Sequence, residues 1–306
     1  MTAPLQTYPL PGPVPPVAPA PPVAPAAGQE VVNAFSVDVE EYFHVQLFEG
    51  SIDRGDWDRL PARSAESTRR LLDLCSLHGV RGTFFVLGWI AERWPDLVRE
   101  IRDRGHEIAT HGQDHRRLTT MTPRQFRDDV RRAKRTLEDV AGTEVIGYRA
   151  PSYSIVRGTL WAMDVLAEEG FRYDSSIFPI HHDHYGIPEF PRFPAPLCGS
   201  NGSTLYEFPI STVRVAGLNV PFVGGGYLRQ FPLPFIRWGM RRVNDVDRRP
   251  VIVYIHPWEI DPGQPRQAVG LLTRLRHYRN LDGCAGRLAA LFREFRFTTV
   301  REVLAL

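Results

Sequence analysis

Strand-like and helix-like runs alternate along the chain from Val31 onward. Val31 to Val39 is dense in β-branched and apolar residues and ends on acidic ones, which predicts a strand. Ser64 to His78 carries Leu71, Leu72 and Cys75 at helical spacing, and Gly79 supplies the stop. Thr83 to Leu87 reads as a short aromatic strand. Pro95 suits the first position of a helix that reaches Arg104 and ends at Gly105. His106 to His111 predicts the next strand. Thr122-Pro123-Arg124-Gln125 is a capping box with proline at the first helical position. The helix it opens places Phe126, Val130, Ala133, Leu137 and Val140 on one face and stops at Gly142. A strand over Val145 to Arg149, a helix over Thr159 to Glu169 and a strand over Phe171 to Ser175 follow. Val251 to His256 is the continuous apolar run of a strand buried on both faces.

Repeated strand–helix units imply parallel strands with helices outside, so the expected class is α/β of barrel type. Catalytic groups in such folds sit at the C-terminal ends of the strands. Asp38 and Glu40, His111 and His115, Arg149, Asp174 and His256 each lie at or just past such an end. Five strand ends marked in this way argue for one shared site. Residues 176–249 break the alternation, with a His181–His184 cluster, several prolines and the glycines Gly224 to Gly226. An insertion or cap is expected there, before the last barrel strand.

Composition divides the chain once. Ten of the 27 prolines fall between Pro4 and Pro25. Proline fixes φ and removes a backbone donor, so residues 1–30 are expected to be a disordered or polyproline-II tail. Residues 31–306 then form one domain. The net charge of +2 is too balanced for a nucleic-acid partner, and the run Arg124 to Arg135 reads as a solvated helix face. Three cysteines without metal or disulfide spacing favour a reducing compartment. No Lys or Arg precedes Arg54, which argues against a secretory signal, and no apolar run is long enough to span a bilayer. A cytoplasmic or membrane-peripheral protein is expected.

The chemistry of the strand ends can be read in two steps. His111 and His115 stand four apart, a spacing that turns two imidazoles to one side. Spacing alone fits a metal site and a pair of surface histidines equally well. Asp38 and Glu40 are two apart on a strand and so share a face. Two carboxylates there can divide the work, one holding a metal and one taking a proton. Taken alone they read as a solvated strand terminus. Together with the histidines they offer the third ligand of an open divalent site.

As a set, these motifs resemble the polysaccharide deacetylase (NodB-homology) family. FSVDVEEYF stands where that family has a paired-acid motif, and THGQDH supplies its histidine pair. YRAPSYS carries its Arg-x-Pro motif, YDSS its later aspartate, and IHPWE its final histidine. The resemblance covers roughly residues 31 to 175 and 250 to 260. FVGGGYLR and the segment Tyr278 to Phe297 resemble a narrower branch associated with exosortase-linked exopolysaccharide loci.

The resemblance implies a distorted barrel of about seven parallel strands, with 176–249 as a cap and 261–306 as a C-terminal extension. It implies a hydrolase that removes N-acetyl groups from N-acetylhexosamine units of an exopolysaccharide. Glu40, His111 and His115 would hold the metal, with zinc expected first and cobalt, nickel or manganese as alternatives. Asp38 would be the base, with Glu41 a less favoured alternative to Glu40 as ligand, and His256 would be the acid. Arg149 would orient Asp38, Asp174 would tune His256, and the Ser152 N–H would serve the oxyanion, although serine stands where the common motif has tyrosine. Pro151, Tyr153, Tyr227 and Trp258 would contact sugar. An N-acetylated oligo- or polysaccharide and the exopolysaccharide assembly machinery are the implied partners. Two other functions remain open at this point: a metal-independent cyclic amidase of allantoinase type, and a catalytically silent carbohydrate-binding protein.

Overall fold

The computed structural model describes residues 29–199 and 202–306. Most of the expected proline-rich tail, residues 1–28, lies outside the described residues. Eleven strands occur among the described residues: β1 (Asn33–Val39), β2 (Thr83–Val86), β3 (Glu107–Thr110), β4 (Gly147–Tyr148), β5 (Tyr173–Asp174), β6 (Ala195–Cys198), β7 (Thr204–Glu207), β8 (Thr212–Val215), β9 (Leu218–Pro221), β10 (Ile252–Ile255) and β11 (Phe297–Thr298). Nine of them form one sheet in the order β10-β1-β2-β3-β4-β5-β7-β6, with β11 also on β1. Every pairing in it is parallel except β6 with β7. β10 and β6 end the path without meeting, so the sheet is a curled half-barrel and not a closed ring.

The alternation of β1 explains how the site is placed. All seven of its residues are buried. Phe35, Val37 and Val39 pack into the core between sheet and helices. Ala34 belongs to a second core on the concave side, with Phe85, Ala109, Ile146, Ile252 and Tyr254. Side chains two apart share a face, so Ser36 and Asp38 follow Ala34 onto the concave side. The same parity carries β10 from Tyr254 to His256.

The helices are α1 (Ser64–His78), α2 (Gly88–Arg93), α3 (Pro95–Asp103), α4 (Pro123–Ala141), α5 (Ala162–Glu168), α6 (Gly225–Gln230), α7 (Leu233–Arg241), α8 (Leu271–Tyr278), α9 (Leu281–Glu294) and α10 (Val300–Leu304). The predicted stop of α1 is present, with Gly79 in the left-handed region at φ 63°. The capping box of α4 also forms: the Thr122 hydroxyl accepts from Gln125 N, and the Gln125 side chain returns to Thr122 N. Ala141, rather than the half-buried Val140, completes the inner face.

The reading of 176–249 as a cap needs correction in part. That stretch supplies β6 and β7, and β7 extends the parallel sheet beside β5. Only β8 and β9 stand apart, as a two-stranded hairpin. The segment after 261 is equally integral: β11 pairs with β1, and Phe292 of α9 meets Phe35 edge-on at 5.0 Å. No described helix is long and apolar enough to cross a membrane.

Candidate active site

Arg149 follows β4 onto the concave side and is fully buried. Its Nη1 donates to Asp38 Oδ1 at 2.6 Å and to Ser36 Oγ at 2.9 Å. Its Nε donates to Ser175 O and its Nη2 to Ser175 Oγ, both at 2.9 Å. The guanidinium also lies over the Phe85 ring at 4.1 Å. A buried cation held by four hydrogen bonds cannot swing away, so it fixes Asp38. Asp38 Oδ2 is left turned toward His256 Nε2, 3.8 Å away.

Two residues beyond Asp38, Glu40 meets both histidines. Glu40 Oε2 lies 2.7 Å from His115 Nε2 and 3.7 Å from His111 Nε2. Ligand atoms of all three residues fall within 4.8 Å of one another. His111 Nδ1 contacts the Arg149 carbonyl at 2.9 Å. That carbonyl accepts an N–H from Nδ1, which leaves the Nε2 lone pair facing the cluster. One carboxylate and two imidazoles, buried together with one ring nitrogen pre-oriented, are a donor set that fits a divalent metal. His115 reaches it from a backbone at φ 51°, an uncommon value for a non-glycine residue. Glu41, the alternative ligand, is committed elsewhere: its carboxylate accepts from Arg63 N, Ser64 N and Ser64 Oγ at the start of α1.

His256 is the member that reaches solvent, with its side chain 17% exposed. Its Nδ1 lies 2.8 Å from Glu259 Oε1. Glu259 Oε2 in turn accepts from Arg229 Nε at 2.6 Å, and Arg229 Nη1 donates to the carbonyls of His277 and Arg279. Burial works against a charged imidazole, but Glu40, Glu259 and Asp38 outweigh it and push His256 up to about 9. Burial also works against the Glu259 carboxylate, yet Arg229 and His256 hold it down to about 2.

This overturns one assignment. Asp174 was the residue expected to tune His256. Its Oδ1 instead accepts from Ser176 Oγ at 2.5 Å, and its other neighbour is the Glu207 carboxyl. Burial and the nearby Asp174 charge drive the Glu207 acid far above its usual range. Glu259 occupies the place expected for Asp174. The sequence signal was short: the residue lies three after His256, within the motif already quoted.

The expected sugar contacts separate. Trp258 is buried, with its Nε1 donating to Glu40 Oε1 at 3.0 Å. Its ring is stacked with His256 at 5.0 Å and with His277 at 4.4 Å. A buried ring stacked with two imidazoles leaves little surface for a sugar. Tyr153 is buried edge-on against Phe178, Tyr185 and Tyr254. Pro151 is buried, and Ser152 takes a left-handed backbone at φ 54°. Tyr227 alone of the four is partly exposed with a cavity before it, about 350 Å³ in volume and also lined by His181, His182, Arg214 and Asn219. The glycines before Tyr227 have a steric reason: a Cβ on Gly224, at φ 89°, would lie 2.3 Å from the Tyr254 ring.

Residues 53–172 match the family model described as polysaccharide deacetylase. The chain thus carries a polysaccharide deacetylase domain over that span. The matched span of the deacetylase model contains His111, His115 and Arg149. Residues 175–305 match a second model, a domain of unknown function (DUF3473), and His256 and Glu259 fall there. The chain is 32% identical over 100 residues to a peptidoglycan-N-acetylglucosamine deacetylase of Bacillus cereus, covering 32% of this chain and 36% of that one. It is 27% identical over 156 residues to a peptidoglycan deacetylase of Helicobacter pylori, covering 51% and 52%. It thus spans about a third to a half of these relatives' length. A solved Mycobacterium smegmatis structure assigned as a polysaccharide deacetylase superposes with a TM-score of 0.62 at 26% identity, covering 91% of this chain and 88% of that one.

Proposed function

We propose that this protein is a metal-dependent hydrolase that removes N-acetyl groups from N-acetylhexosamine units of an exopolysaccharide. One observation carries the reading: a clamped carboxylate (Asp38), a Glu-His-His donor set and a histidine backed by a carboxylate meet at the C-terminal ends of the strands. A divalent ion held by Glu40, His111 and His115, zinc before cobalt, nickel or manganese, supplies Lewis-acid polarisation of a carbonyl and acidifies water. Asp38 then takes a proton from the attacking water through Oδ2, since Oδ1 is committed to Arg149. Protonated His256 delivers a proton to the amide nitrogen as the C–N bond breaks, releasing acetate and a free amine. The Ser152 N–H is assigned to the oxyanion, a role that needs no side chain. Tyr227 is the remaining aromatic available to sugar.

The donor set disfavours the metal-independent amidase, and the presence of both Asp38 and His256 disfavours a silent binding protein. Cys75 and Cys284, free and buried, and Cys198, free and exposed, support a reducing compartment. The assembly machinery for the polymer is the proposed partner, with residues 1–30 as a tail dispensable for chemistry. The test is acetate release from N-acetylated glycans by the full chain, with and without a chelator. Release that the chelator abolishes and added metal restores is expected. Chelator-resistant turnover, or glycan binding without acetate release, overturns the reading.

A further inference from the structure

Helix α8 inverts the usual pattern of a surface helix. Such a helix turns its apolar stripe inward and its polar residues out. In α8 the fully buried side chain is His277, while Leu271, Leu272 and Leu275 are 72%, 62% and 53% exposed. These three leucines fall at i, i+1 and i+4, which places them together on one outward face. Isolated exposed leucines need no account, but a cluster on one helix face marks a surface that something covers.

The surroundings of this face state what kind of surface fits it. Residues 262–281 contain Arg266, Arg274, Arg276 and Arg279 and no acidic residue. All four arginines are exposed. Leucines flanked by arginines, on a helix whose opposite side buries His277, match the requirements of the bilayer interface. The apolar face enters the acyl boundary and the cations meet anionic headgroups. A purely apolar protein groove would leave the four cations without partners.

We propose that α8 is a docking helix for an anionic lipid surface. Docking there would hold the site against the bilayer, because His277 stacks on Trp258 and Trp258 on His256. The proposal does not rest on the chemistry assigned above and goes beyond it.

The experiment is co-sedimentation of the full chain with two kinds of vesicle, phosphatidylcholine alone and phosphatidylcholine with phosphatidylglycerol. Binding to the mixed vesicles only is expected, weakening as salt rises. The triple substitution Leu271→Gln, Leu272→Gln, Leu275→Gln should reduce binding by roughly tenfold or more. Arg274→Gln and Arg279→Gln should each reduce it about fivefold. Leu218→Gln, on the separate hairpin and 65% exposed in the parent, should leave it unchanged. Equal recovery with both vesicles, no recovery with either, or full binding by the leucine variant overturns the proposal. A dimer that the leucine variant abolishes, without lipid binding, assigns the face to a second copy instead.

Discussion

Glu259 Oε1 sits 2.8 Å from His256 Nδ1, and the other oxygen of the same carboxylate is held at 2.6 Å by the buried Arg229. The imidazole is thereby fixed in one orientation, with Nε2 turned toward Asp38 and Glu40. A carboxylate on the far nitrogen of a catalytic histidine sets its tautomer and supports its charged form.

Glu259→Gln is therefore expected to lower kcat by roughly 10- to 100-fold, the scale of losing a partner that orients a histidine. KM should hardly move, and Glu259→Asp should recover part of the loss. Steady-state acetate release and metal analysis of each variant check this. A fall confined to KM, or to bound metal, would show a different role.

Trp258 links the acid to the metal donors, since its indole donates to Glu40 while stacking on His256. Trp258→Phe keeps the stacked ring and deletes the donor. Loss of such an outer partner typically weakens metal affinity 10- to 100-fold. Metal-binding titration should show that drop, with KM for oligosaccharides little changed. A KM effect with intact metal affinity would restore Trp258 as a sugar contact.

The third prediction concerns pH. His256, ordinarily near 6.5, is raised to about 9, with Glu40 the largest raising influence. A group whose folded pKa is raised stabilises the fold fully below its unfolded value. That contribution should be present below about 6.5 and lost as pH rises through about 9. Metal binding neutralises Glu40 and should lower the His256 titration. NMR titration of the ring protons, chelated and metal-loaded, measures both. An unchanged or higher midpoint on loading would reject the coupling.

The fold was legible where periodicity was strong. Ser64–His78 and the capped helix at Thr122 formed where their apolar spacing and stop signals placed them. The strands were legible because alternation on β1 also fixes which side chains meet. The pairing of 176–249 was not, because β6 and β7 are four residues each and their partner β5 has two. Strands that short carry too little pattern to reveal a neighbour. The same limit explains the misassigned Asp174. Local sequence places a residue at a strand end, but the rotation that aims it at Glu207 rather than His256 comes from the β5–β7 pairing.

That pairing also bears on where such a chain can be cut. The boundary between the two family models, near residue 174, runs through the middle of the sheet and not between two bodies. A chain ending there would bare the edges of β1 and β5, since β10 and β7 both come from the later segment. Open edges of this kind invite pairing with other chains. The later segment, alone, would keep His256 and Glu259 but lose Asp38 and Glu40, which the His256 Nε2 faces. Neither part completes the sheet or the site alone, so a cut at this seam separates the acid from the base and the metal donors.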